Sequence, residues 1–181
     1  LNVDPNPSGI GLSYIEPLTH TVHRGRMNEW AEFYERLFNS REVRYFDIEG
    51  QVTGVKSKAM TSPCGMIRIP INEEGNDIKG QIQEYLDDYH GEGIQHIALG
   101  VTDIYATVDA LRARGVNLLD TSDTYYELVD KRIPNHGESL DALRKRKILI
   151  DGKPSELLLQ IFSENQIGPI FFEVIQRKGN E

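Results

Sequence analysis

Two side chains in this sequence stand where their chemistry is hardest to explain as packing. Glu173 lies within Ile170-Phe171-Phe172-Glu173-Val174-Ile175, and a carboxylate in an apolar strand is costly unless it is paired, protonated or bound to a metal. His96 lies within Ile94-Gln95-His96-Ile97-Ala98. Taken alone, a histidine on an apolar strand reads more often as a hydrogen-bonded core residue. Taken together, an imidazole and a carboxylate make two thirds of the facial triad, two His and one carboxylate, that holds non-haem Fe(II) and leaves positions open for substrate and dioxygen. The other candidates are plainer. His23, His90 and His136 flank glycines and polar turns and read as solvent-facing, and Cys64 sits in a Pro-Cys-Gly turn with no His or Asp context for a nucleophile. Arg144-Lys145-Arg146-Lys147 reads as the solvated end of an element.

The elements that must position these residues are written twice. Residues 13–22 alternate as a strand, and 27–38 place Met27, Trp30, Phe33, Tyr34, Leu37 and Phe38 on one helical stripe. Three β-rich runs follow, 42–49, 51–60 and 66–71, separated by Gly50 and Ser62-Pro63-Cys64-Gly65. The first module is therefore βαβββ. From Gly93 the plan repeats: strand 94–101, then a helix capped by Thr102 or Asp103 that buries Ile104, Val108 and Leu111 and stops at Gly115. Runs 125–128, 147–150, 156–162 and 170–176 read as strands, with 134–146 a polar loop followed by a helical turn. A short helix at 81–89 connects the modules. Overlaying 14–19 on 93–98 puts Pro17 opposite His96. Proline offers a metal nothing.

The fold class expected is α+β, two βαβββ modules (about 13–75 and 93–179) forming a curled, barrel-like mixed sheet with flanking helices around a cleft. Residues 1–12 read as a linker, and a chain that begins Leu1-Asn2-Val3 is expected to be a piece of something longer. Its 28 acidic against 20 basic residues leave a formal charge of -8 over 181 residues, which repels a phosphate backbone. Nucleic acid is excluded as a partner. No run is apolar for long enough to span a bilayer, and one cysteine permits no internal disulfide, so a cytoplasmic setting is expected.

The run Ser57-Lys58-Ala59-Met60, then Ile67-Arg68-Ile69-Pro70-Ile71-Asn72-Glu73, then Gly91-Glu92-Gly93-Ile94-Gln95-His96, resembles the catalytic half of the 4-hydroxyphenylpyruvate dioxygenases. Asp123-Thr124-Tyr125-Tyr126, Leu157-Leu158-Leu159-Gln160-Ile161-Phe162 and Phe172-Glu173-Val174-Ile175-Gln176-Arg177 extend the resemblance over about residues 14–179. It is similar above all to bacterial members, including those first described as pigment-forming (legiolysin) or haemolysin-like proteins. The resemblance implies the vicinal oxygen chelate fold and a dioxygenase of tyrosine catabolism that turns 4-hydroxyphenylpyruvate and O2 into homogentisate and CO2. It implies Fe(II) as cofactor, with His96 and Glu173 as metal ligands. Ser57, Asn72, Gln81, Gln95 and Gln160 match polar residues around the substrate, and Phe162 a ring-stacking aromatic. A homo-oligomer is expected for the full-length protein. The family usually shows Asp-His-Leu-Thr-His at its first ligand, where this chain reads Glu16-Pro17-Leu18-Thr19-His20. Because strand side chains alternate, His20 faces away from position 17 and replaces the ligand only through a bulge or a register slip. Gln95 nominally faces away from His96 and needs local twist or an indirect contact. The expectation is weak iron binding and little dioxygenase activity. The alternatives are a hydroxymandelate synthase-type oxygenase, a non-catalytic aromatic keto-acid-binding protein, and an altered sequence in an otherwise normal enzyme. Segments that precede and follow the family's catalytic half are not matched, so a poorly closed pocket is also expected.

Overall fold

The structure is a computed structural model, and it describes residues 9–49, 54–76 and 78–179. Most of the expected linker, the turn at Gly50 and the start of the 51–60 run lie outside the described residues. The chain divides into two compact units, Ile15–Ala98 with Asn165–Phe172, and Leu1–Tyr14 with Leu99–Glu164 and Glu173–Glu181.

The first unit is built from β1 (Leu12–Thr21), α1 (Met27–Phe38), β2 (Arg41–Glu49), β3 (Gly54–Thr61), β4 (Arg68–Glu74), α2 (Gln81–Tyr89) and β5 (Gly93–Val101). This is the βαβββ order read from periodicity. Strands β2, β3 and β4 form an antiparallel meander, β1 lies parallel to β4, and the order runs β2-β3-β4-β1-β5. The core under α1 is Val22, Met27, Ala31, Tyr34, Met60 and Ile71. The helical stripe is narrower than its spacing suggests: Phe33 (40% exposed), Leu37 (66%) and Phe38 (59%) stay in solvent. One face of a 3.6-residue helix reaches the sheet through positions 27, 31 and 34, and 33, 37 and 38 flank it.

The second unit is built from α3 (Ile104–Ala113), α4 (Asp123–Glu127), α5 (Val129–Arg132), α6 (Leu140–Arg146), β6 (Leu149–Lys153), β7 (Glu156–Phe162) and β8 (Phe171–Lys178). Strands β8, β7 and β6 pair antiparallel in that order. Helix α3 is capped by Asp103, whose Oδ1 accepts the Ala106 N–H at 3.0 Å. Residues 125–128, read as strand, are not one: 123–127 are helical. Tyr125 and Tyr126 favour strands by type, but packing decides otherwise. Tyr126 is wholly buried among Val129, Ile133, Leu143 and Ile150, and the Tyr125 hydroxyl donates to the Ile150 carbonyl and accepts the Ile150 N–H. His136 also departs from its reading. It is 7% exposed, its Nδ1 accepts the Glu138 N–H and its Nε2 meets Asp130 at 3.0 Å. A polar turn folded back on itself buries the ring that spacing alone left in water.

Candidate functional site

In the first unit the register assembles a polar row. Met60, Ile71 and His20 face α1, so Asn72 and Thr21, one residue on, face the other side of the sheet. Asn72 is the cross-strand partner of both Ser57 and Thr21, and the wholly buried Thr21 hydroxyl donates to Gln95 Oε1 at 3.3 Å. Ser57, Asn72, Thr21 and Gln95 thus come from β3, β4, β1 and β5 in spatial order. The Asn72 Oδ1 atom is buried and accepts no hydrogen bond from the described residues, an omission that costs about 1–3 kcal/mol and that a donor on a ligand would relieve. Gln81 opens α2, exposed at its first turn.

Two adjacent glutamates on β4 fix the helices on either side of this row. Glu73 Oε2 accepts the N–H groups of Gly25 (2.9 Å) and Met27 (3.2 Å) at the start of α1. Glu74 Oε1 accepts those of Gly80 (3.0 Å) and Gln83 (3.1 Å) at the start of α2. Neither helix has a capping side chain of its own. Consecutive strand residues point to opposite faces, so one dipeptide holds both helix N-termini.

His96 stacks on Phe171 with ring centroids 4.9 Å apart and planes at 21°. Burial pushes its pKa down to about 4, so the imidazole is neutral at ordinary pH, the form that ligates metal. His20 is elsewhere. It is 3% exposed, shares a hydrogen bond with the Tyr34 hydroxyl at Nδ1 (3.0 Å) and meets the Trp30 ring edge-on at 4.5 Å, all on the α1 side. Alternation held, and no bulge turns His20 towards the side that position 17 shares with Thr21.

In the second unit alternation sorts three more of the expected residues onto one face. Leu157, Leu159 and Ile161 enter the helical core, leaving Gln160 and Phe162 on the opposite side of β7. On β8 Val174 enters the same core, so Glu173 faces with Phe162, its cross-strand partner, while Gln160 pairs with Ile175. Glu173 is 6% exposed.

This donor set does not fit a complete facial triad. Pro17 supplies no side-chain donor, and among the described residues no group of three or more His, Cys, Asp or Glu is disposed to hold a metal. Thr21 was missed from the sequence, although it shares strand parity with position 17, a signal that would have found it. Glu73, Glu74 and the partly buried Glu92 were missed too; Glu92 accepts from Trp30 Nε1 (2.8 Å) and from the His23 N–H (2.9 Å). Nothing local marks Glu73 or Glu92, whose partners lie 46 to 69 residues away.

Residues 17–129 match the family model of the Glyoxalase/Bleomycin resistance protein/Dioxygenase superfamily. The chain is 60% identical over 178 residues to a 4-hydroxyphenylpyruvate dioxygenase of Pseudomonas aeruginosa, a match covering 97% of this chain and 50% of the relative. It is 58% identical over 176 residues to hemolysin VllY of Vibrio vulnificus, covering 96% and 49%. The chain thus spans about half the length of the curated relatives it matches. Among solved structures, a mutant 4-hydroxymandelate synthase from Streptomyces coelicolor superposes with a TM-score of 0.83 at 28% identity, covering 100% of this chain and 53% of that one. A methylmalonyl-CoA epimerase from Mycobacterium tuberculosis shares the fold alone, with a TM-score of 0.60 at 15% identity over 95% and 93%. With its two βαβββ modules, the chain belongs to the Glyoxalase/Bleomycin resistance protein/Dioxygenase superfamily.

Proposed function

We propose that this chain is the substrate-binding, catalytic half of a 4-hydroxyphenylpyruvate dioxygenase, and that Pro17 leaves it a weak iron binder with little turnover. The observation that carries the reading is 60% identity across 97% of the chain to the Pseudomonas aeruginosa dioxygenase. In the complete reaction of that class, Fe(II) supplies the redox chemistry by which 4-hydroxyphenylpyruvate and O2 give homogentisate and CO2. His96 and Glu173 are the side chains proposed to hold it. The single cysteine supports a cytoplasmic setting.

The protein's own share is to bind and orient. Asn72 Oδ1 is a buried acceptor suited to a phenol O–H, and Ser57, its strand partner, adds a hydroxyl that donates or accepts. Gln81, Gln95 and Gln160 offer amide N–H donors to a keto acid without adding charge, and Phe162 offers a face to the aromatic ring. This neutral lining needs no metal to bind a ligand. Calorimetry with 4-hydroxyphenylpyruvate in metal-free buffer is expected to show binding, and Asn72→Ala is expected to weaken it.

The metal half is tested by anaerobic Fe(II) titration with and without Pro17→His. Restoring a ligand is expected to tighten iron binding by at least about tenfold, since loss of even an indirect partner of a ligand costs about 10- to 100-fold. Tight, stoichiometric binding by the unmodified chain refutes the reading of Pro17. The Streptomyces structure favours a second reading, hydroxymandelate formation. Product analysis on an active, full-length form separates the two, homogentisate against hydroxymandelate.

A further inference from the structure

We infer that Thr21 is a positioning residue that holds the Gln95 amide in place by its Oε1 end, with Nε2 free to meet the ligand. The inference rests on the proposed function, because it takes Gln95 as a residue that contacts an aromatic 2-oxo acid. A glutamine amide is nearly symmetric in shape and opposite in chemistry at its two ends: Oε1 accepts and Nε2 donates. A free amide can turn either end to a ligand, and only one end suits carboxylate and keto oxygens, which accept. Thr21 is wholly buried and β-branched, so its χ1 is restricted and its hydroxyl is held in place. That hydroxyl donates to Gln95 Oε1 at 3.3 Å. The acceptor end is thereby occupied and both Nε2 hydrogens are left to donate.

The row explains why this position does the work. Thr21 is the register partner of Asn72 on one side and bonds Gln95 on the other, and Asn72 is in turn the partner of Ser57. Asn72 Oδ1 remains an unfilled acceptor while Gln95 Nε2 becomes a fixed donor. The row then presents an acceptor on β4 and a donor on β5, a polarity matched to a molecule with a phenol O–H and an oxo-acid group. Thr21 holds the Gln95 member of that row in place.

Two measurements on the 181-residue chain decide it, each on Thr21→Val, which keeps the shape and loses the hydroxyl, and Thr21→Ser, which keeps the hydroxyl. The first needs no ligand. The side-chain amide resonances of Gln95, assigned through Gln95→Met, are expected to shift in Thr21→Val and to hold their positions in Thr21→Ser; unchanged resonances in Thr21→Val overturn the inference. The second is calorimetric affinity for 4-hydroxyphenylpyruvate in metal-free buffer. Thr21→Val is expected to weaken binding by about 3- to 10-fold, the factor one neutral hydrogen bond commands, Thr21→Ser to restore it, and Thr21→Val to add nothing in a Gln95→Met background. Equal affinity for the unmodified chain and Thr21→Val, or a further loss on top of Gln95→Met, overturns the positioning role. A purely structural role lowers the melting temperature without the amide shift and also overturns it. Absence of binding by the unmodified chain refutes the proposed function and the ligand-facing half of this inference, while the amide resonances still decide the Thr21–Gln95 half.

Discussion

Replacing Glu73 tests how far one strand residue governs a helix that begins 46 residues earlier in the chain. Helix α1 opens at Met27 with Arg26 at its N-cap and no side chain of its own capping it. The Glu73 carboxylate, 7% exposed, takes the Gly25 and Met27 N–H groups on a single oxygen. Hydrogen bonds to a charged acceptor contribute about 1.5–3 kcal/mol each, and the negative charge also opposes the positive end of the helix dipole for about 0.3–1 kcal/mol. Two bonds sharing one oxygen are each weaker than one alone, and water reaches the exposed Gly25 once the carboxylate is gone. Glu73→Ala is therefore expected to cost about 2–4 kcal/mol. Glu73→Gln keeps an acceptor and loses the charge, so about half of that is expected. Urea denaturation gives the free energies, and amide hydrogen exchange over residues 27–30 localises the loss. A Glu73→Ala chain within about 0.5 kcal/mol of the unmodified one, the range of ordinary surface substitutions, refutes the reasoning. So does unchanged exchange at the start of α1, because the loss then lies elsewhere.

Gly93→Ala places a methyl 2.5 Å from Tyr89 Cε1 and 3.1 Å from the Tyr85 hydroxyl; overpacking of this kind costs about 1–3 kcal/mol, and thermal unfolding is expected to show the loss in Gly93→Ala and its relief when Tyr89→Ala is added. His20 is held neutral by burial, with Glu92 opposing that shift more weakly and the Tyr34 hydroxyl bonded to its ring. Its folded pKa lies below the unfolded 6.5, so the unfolded chain takes up the proton first and stability falls as pH drops below about 6.5. In His20→Gln that part of the stability-versus-pH slope is expected to vanish, and an unchanged slope refutes the assignment.

Much of the architecture was legible because local periodicity and tertiary role coincide. Residues 13–22, 27–38 and 156–162 carry the period of the element they form, and Asp103 and Gly115 punctuate α3 as their types demand. The tyrosines at 125 and 126 failed because short segments take their state from what they pack against, here a core of Val129, Leu143 and Ile150. His136 failed for a related reason: a polar turn is exposed only until its own groups close over it. The expected site residues came mostly from the family resemblance, since singly Ser57, Asn72, Gln81 and Gln160 are ordinary polar residues. Their grouping onto one face was implicit in period two, as Gln160, Phe162 and Glu173 show on β7 and β8.

The sequence by itself determined the βαβββ repeat, the apolar settings of His96 and Glu173, and the proline at position 17, since these are matters of residue type and spacing along the chain. Only the tertiary structure decided the rest. Strand register set Thr21 beside Asn72 and within reach of Gln95, burial made His96 a neutral imidazole, and Glu73 of β4 took the start of α1. Hydrogen bonds between residues dozens of positions apart depend on which strands become neighbours, and no local pattern encodes that choice.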